Sequence, residues 1–179
     1  MKIKYFLIFI QIIFLSCNQK LKVVNSTPQN QPEKNYIENT TAKNIAEHYK
    51  TDKFDVAIFP KEYDKFLPEK RFTPSKDEIT FAELALENQL KEINKNRPNQ
   101  SSSPIIDKNL NKYKRQYFGG VDENGRKYLL INCFWSEREN SNGWLNEMVI
   151  VMDGGSYYWQ IKYYIDTNEL KNLMVNGYA

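Results

Sequence analysis

Residues 157–165 read Tyr157-Tyr158-Trp159-Gln160-Ile161-Lys162-Tyr163-Tyr164-Ile165. Successive side chains of a β-strand point to opposite faces. Tyr157, Trp159, Ile161, Tyr163 and Ile165 therefore share one face, rich enough in apolar area to belong in a core. Tyr158, Gln160, Lys162 and Tyr164 share the other, which is expected to point outward. A helix of period 3.6 would mix the two sets; only a strand keeps them apart.

The same rhythm governs the residues on either side. Tyr113–Val121 reads as a strand, with a bulge expected at Gly119-Gly120. Asp122-Glu123-Asn124-Gly125 carries Asn-Gly, a hairpin signal because a tight turn there needs positive φ. Lys127–Trp135 is the return strand, with Leu129, Ile131, Cys133 and Trp135 on one face. After a loop over Glu137–Asn146, Met148, Ile150 and Met152 alternate with Val149 and Val151. A run apolar on both sides predicts a central strand. Asp153-Gly154-Gly155-Ser156 reads as a tight turn, and Leu170–Val175 as a last strand.

Before residue 95 the rhythm is helical. Ser75 and Glu78 form the S-x-x-E capping pattern, and Ile79, Ala82, Leu86, Leu90 and Ile93 recur at spacings of three and four. Upstream, Phe54–Phe59 alternates as a strand that Pro60 stops. The pattern predicts an α+β fold: one main helix packed on a curved antiparallel sheet of four to six strands, over a single domain at 53–179. The arrangement resembles cystatin-like and NTF2-like architectures. Residues 112–179 also resemble small uncharacterised lipoproteins of Bacteroidota, through Ile131-Asn132-Cys133-Phe134, Asp153-Gly154-Gly155 and Val175-Asn176-Gly177. That resemblance implies no activity.

The first residues carry an address. Lys2 and Lys4 precede an apolar run from Tyr5 to Leu15, interrupted by Gln11. The run would span roughly 16 Å as a helix, about half a hydrocarbon core, which fits an export signal better than a membrane span. It ends in Phe14-Leu15-Ser16-Cys17. This resembles the lipobox of bacterial lipoproteins, in which a small residue precedes a cysteine that is diacylated and becomes the mature N-terminus. Ser16 and Cys17 match; Phe14 and Leu15 depart from the commonest Leu-then-small pattern. The resemblance implies a signal peptide at 1–16, lipid such as palmitate on Cys17, and a partner in the membrane itself, since two or three acyl chains anchor stably. Residues 17–52 are rich in Asn, Gln, Lys, Thr and Pro and read as a flexible tether, with a short helix entertained over Ala42–Tyr49. After Cys17 the chain reads Asn18-Gln19-Lys20, without the acidic run associated with surface export in some lipoproteins, so the periplasmic side of the envelope is expected.

Net charge is +3, of which Lys2 and Lys4 supply two, leaving +1 for the remainder. That balance gives no electrostatic case for nucleic acid. The chain has two cysteines. If Cys17 is acylated, Cys133 has no partner for a disulfide, and its place between Ile131 and Trp135 makes it a buried hydrophobe rather than a nucleophile. His48 is the only histidine, which argues against His-rich metal sites and leaves any catalytic triad dependent on one residue expected at the surface. Glu137, Glu139 and Glu147 read as a solvated loop. No catalytic residue, metal or cofactor is expected.

The outward row Tyr158, Gln160, Lys162 and Tyr164, with Trp144 in its loop, is the best candidate binding face, because tyrosine offers rigid area with a polar tip. It suits a non-enzymatic envelope module that binds a protein or small ligand. The alternative is a ligand carrier or enzyme with a pocket between helix and sheet, using groups such as Asn132. A structural subunit would instead show a self-complementary patch.

Overall fold

The structure is a computed structural model that describes residues 44–65, 67–138 and 141–178. The expected export signal, Cys17 and the expected tether up to residue 43 lie outside the described residues, as does Glu139.

Among the described residues, seven strands and one long helix make an α+β domain. The strands are β1 (Glu47–Lys50), β2 (Asp55–Ile58), β3 (Arg71–Phe72), β4 (Tyr113–Val121), β5 (Lys127–Trp135), β6 (Tyr158–Tyr164) and β7 (Glu169–Val175), and the helix is α1 (Lys76–Ile93). They form one sheet in the order β1-β2-β4-β5-β6-β7, with the short β3 paired to the far end of β4. Every pair is antiparallel except β2 with β4, so the sheet is mixed. That parallel pair follows from the crossover: the chain leaves β2, passes through α1, and returns as β4 beside it.

α1 starts where the capping pattern places it. Ser75 Oγ accepts from the Glu78 amide at 3.2 Å, and the Glu78 carboxylate accepts from the Ser75 amide at 2.8 Å. Asn94 closes the other end and is buried, bonded to Gln100 and Asp107. The predicted stripe Ile79, Ala82, Leu86 and Leu90 is buried against Val56, Leu129, Ile131, Cys133, Trp159, Ile161 and Tyr163. Each fully buried Ile or Leu there contributes about 1.5–3 kcal/mol, so this layer dominates the stability.

The sheet's other face has its own, smaller core. Ala57, Phe59, Phe118 and Phe134 meet Tyr63 and Trp144, which arrive on loops. Both faces are covered around β2 and β4, so most residues of these strands are buried, the polar Arg115 and Gln116 included.

Four expectations are corrected. The sheet begins at Glu47, inside the span assigned to the tether; β1 is a strand, not a helix turn, and its single half-buried residue, Tyr49, gives too little pattern to read. Gly119-Gly120 forms no bulge, since β4 stays in register with β5 throughout. The glycines are there for space: a Cβ on Gly119 would lie 2.3 Å from the Phe72 carbonyl oxygen, and one on Gly120 2.7 Å from the Tyr128 ring. The irregularity falls between Gln160 and Lys162 where β6 meets β7. Finally, Met148–Met152 is no strand: it crosses the outer face unpaired, held by side-chain amides, with Met152 90% exposed.

Candidate functional site

Strand register arranges the outer face in rows. One row runs Arg71, Gly120, Tyr128, Tyr164, Glu169 across β3 to β7. The next is Phe118, Leu130, Lys162, Lys171, and the third is Gln116, Asn132, Gln160, Met174.

The third row is an amide ladder. Gln160 Nε2 donates to Asn132 Oδ1 at 3.0 Å, and Asn132 Nδ2 donates to Gln116 Oε1 at 2.9 Å. The ladder then reaches outward. Gln116 Nε2 donates to the carbonyls of Trp144 and Glu147, Asn132 Nδ2 to that of Val149, and the Val149 amide donates to Gln116 Oε1. Buried amides with partners on every side fix the loop over the sheet. Asn132 is thus a staple and not a pocket residue. Trp144, expected at the surface, is 3% exposed: it packs edge-on to Phe134 and His48, with the Lys114 ammonium 4.9 Å from its ring centre. A loop position gave no sign that the amide row would draw it in.

The uncovered half lies beyond the ladder. Tyr158, Gln160 and Lys162 are half-buried there, and Met174, Ile150 and Met152 are exposed. Tyr164 is buried, beneath the Arg126 guanidinium at 4.3 Å and near the Lys171 ammonium at 5.8 Å. Those two cations are neutralised by Asp166 and Glu169. Lys162 has no acidic partner among the described residues; its ammonium stands 4.3 Å from the ring centre of Tyr128. Arg71 and Tyr128 were missed in the sequence. Arg71 sits on a two-residue strand with no alternation to read, and Tyr128 became part of the face only once register set it beside Tyr164.

A second concavity of about 500 Å³ lies between α1 and the β6–β7 turn, lined by Phe81, Leu84, Ala85, Tyr163 and Ile165. Phe81 is 58% exposed. Its polar rim is largely self-satisfied: Tyr163 donates to Asn168 Oδ1 at 2.6 Å, and Gln89 bonds the Asn168 carbonyl and the Leu170 amide.

Cys133 is buried, and burial pushes its thiol far above the usual range. Beside it in register is Arg115, 1% exposed, with Nε 3.5 Å from Glu83 Oε1. Burial raises the Glu83 carboxyl, against the opposing pull of Arg115 and of the Tyr117 hydroxyl. All four are sealed in the core, so no substrate reaches them. His48 lies at the surface, 2.6 Å from Asp55 Oδ1. Glu147 pairs with Lys65, and Glu137 accepts a long bond from Trp135 Nε1. Gly154 and Gly155 have φ of 89° and 56°, so Asp153-Gly154-Gly155 is a turn that needs glycine, with the Gly155 amide bonded to the Gly177 carbonyl. Among the described residues no three His, Cys, Asp or Glu side chains gather as metal ligands would, and no helix is long and apolar enough to cross a membrane.

No protein-family model, curated protein or solved structure matches the chain. What bears on function is the chemistry of the rows themselves.

Proposed function

We propose that the chain is an exported bacterial lipoprotein, held on the cell envelope by lipid on Cys17 and facing the periplasm, and that its domain is a non-enzymatic binding module. The address is supported by Lys2, Lys4, the apolar run to Leu15 and the Ser16-Cys17 pair.

One observation carries the binding reading. The outer face is covered over β2 and β4, yet past the amide ladder Ile150, Met152 and Met174 are exposed, and Lys162, on the same face of the sheet as Met174, has no acidic partner among the described residues. Exposed apolar side chains and an unpaired cation on one sheet face suit a contact surface. The partner that fits is an envelope protein presenting apolar and acidic groups together. Such a partner would complete the half of the face that the 141–153 loop leaves bare.

The cleft at Phe81 and Leu84 supports a second reading, a carrier of a small apolar ligand. A photo-crosslinking amino acid placed at Met152 or at Phe81 of the full-length protein, in native membranes, separates the two. A discrete protein adduct from Met152 and none from Phe81 is the expected result. Adducts from Phe81 alone favour the cleft, and adducts from neither position contradict a binding role.

A further inference from the structure

Nη1 and Nη2 of Arg71 are both buried and donate to nothing among the described residues. The one hydrogen bond of this guanidinium there is long, 3.4 Å from Nε to the Gly119 carbonyl, and its carbon lies 6.0 Å from the Phe118 ring centre. Glu62 and Asp64 act on it at longer range, without a hydrogen bond to either Nη. A cation stripped of water and left without acceptors is costly, and such groups in folded proteins have a counterpart, whether water, ion or ligand. The residue as a whole is half-buried, on a two-residue strand at the end of β4, with its Nη atoms turned inward.

Two further donors lie close to it in register and along the sheet. Arg71 pairs with Gly120, and Gly120 pairs with Tyr128. Tyr128 leans over Gly120 so closely that a Cβ there would lie 2.8 Å from its hydroxyl oxygen. This brings the phenol towards Arg71. The Tyr128 hydroxyl makes no hydrogen bond to a described residue, and the Lys162 ammonium stands above the same ring without an acidic partner. The guanidinium acts electrostatically on the Tyr128 hydroxyl and the ammonium stands 4.3 Å from the Tyr128 ring centre, so three groups with unused donors lie about this residue.

We infer that Arg71, Tyr128 and Lys162 form a seat for one oxyanion, a carboxylate or a phosphate. The guanidinium supplies the paired N–H groups that match two oxygens of such a group, and the hydroxyl and ammonium hold the remainder. Asp122, Asp64 and Glu62 are the acids that act on this corner, and none of them is ion-paired with Lys162. The proposal rests on the reading of the outer face as the contact surface and specifies the chemistry that the face would grip.

An amide NMR titration of the full-length protein tests it, with inorganic phosphate, acetate and a hexaglutamate peptide added at constant ionic strength. The expected result is saturable shifts centred on Tyr128 and Lys162. Losing the bidentate contact in Arg71→Met should weaken binding about tenfold or more. Tyr128→Phe and Lys162→Met should each weaken it several-fold. Arg71→Lys, which keeps the charge but not the fork, should fall between wild type and Arg71→Met. Tighter binding of hexaglutamate than of acetate assigns the seat to an acidic segment of a partner; preference for phosphate assigns it to a phosphate-bearing ligand. Absence of saturable shifts with all three probes would overturn the proposal. Unchanged binding in Arg71→Met would do so too. If Arg71→Met does not fold, unchanged binding in both Tyr128→Phe and Lys162→Met overturns it equally. Adducts from Met152 together with no oxyanion binding would leave the contact surface standing and remove only the seat.

Discussion

The Tyr117 hydroxyl lies 2.6 Å from Oε1 of Glu83, so a central strand and the helix above it are joined by a hydrogen bond inside the core. The same carboxylate lies 3.5 Å from Nε of Arg115, whose Nη2 donates to the Leu110 carbonyl. Arg115 Nε and Nη1 have no hydrogen-bond acceptor among the described residues. This is a buried ion pair with incomplete satisfaction, and its energetics are asymmetric.

Glu83→Ala leaves the Arg115 charge buried without its counterion and should cost about 3–5 kcal/mol. The double change Glu83→Leu with Arg115→Met, which removes both charges and keeps volume, should cost markedly less than that single change. Urea unfolding midpoints of the three proteins check this ordering. A double variant as damaged as Glu83→Ala would show that the pair itself, and not the stranded charge, is what matters.

Stability should fall at alkaline pH. Burial raises the Cys133 thiol and the Tyr113 and Tyr117 hydroxyls above their ordinary ranges in the folded state. The unfolded chain therefore releases these protons first, and the folded state is disfavoured as pH rises above about 9 for the thiol and about 10 for the phenols. Below those values the three groups contribute no pH dependence. The expected profile, from thermal unfolding at increasing pH, is flat from neutrality to about pH 8.5 and then descends, with a later onset in Cys133→Ala. Iodoacetamide should label native Cys133 only as fast as the domain opens; rapid, complete labelling would contradict its burial.

Much of this was legible in the sequence, for physical reasons that differ by element. α1 was readable because Ser75, Glu78 and the Ile79–Ile93 stripe are local signals, and packing agrees with them. β4, β5 and β6 were readable because each buries one face against the helix and alternates accordingly. Met148–Met152 misled because it alternates without pairing. Its backbone is held by Gln116, Asn132 and Asn176, which are distant in sequence, so no local pattern reports them. Of the candidate face, Tyr158, Gln160 and Lys162 were found on the right side. Arg71 and Tyr128 were not, because only strand register brings them to Lys162 and Tyr164.

The amide ladder should control the order of the loop it holds. Asn132→Leu removes the donor to the Val149 carbonyl and to Gln116; the carbonyl is left unpaired at about 1–3 kcal/mol, while Gln116 Oε1 keeps the Val149 amide. Hydrogen exchange at the Val149 amide, which donates to Gln116 Oε1 at 2.8 Å, should accelerate in the variant. Exchange in α1 should change little, since its packing lies on the other face of the sheet.

Gly119→Ala places a Cβ 2.3 Å from the Phe72 carbonyl oxygen, a backbone atom that must move. Separation of β3 from β4 should cost about 1–3 kcal/mol and lower Tm by several degrees. Gly125→Ala meets nothing within 4 Å, and its penalty comes only from a φ of 77°. Comparing the two by calorimetry separates crowding from backbone strain, and Gly119→Ala should be the more damaging.

The address is the claim on which the functional account turns, and acylation of Cys17 tests it most directly. Cells expressing the full-length protein are fed radiolabelled palmitate, and the protein is recovered from the membrane fraction. The account predicts label in the wild type, none in Cys17→Ser, and loss of the variant from the membrane. A wild-type chain that carries no label and is recovered free of membranes would contradict it.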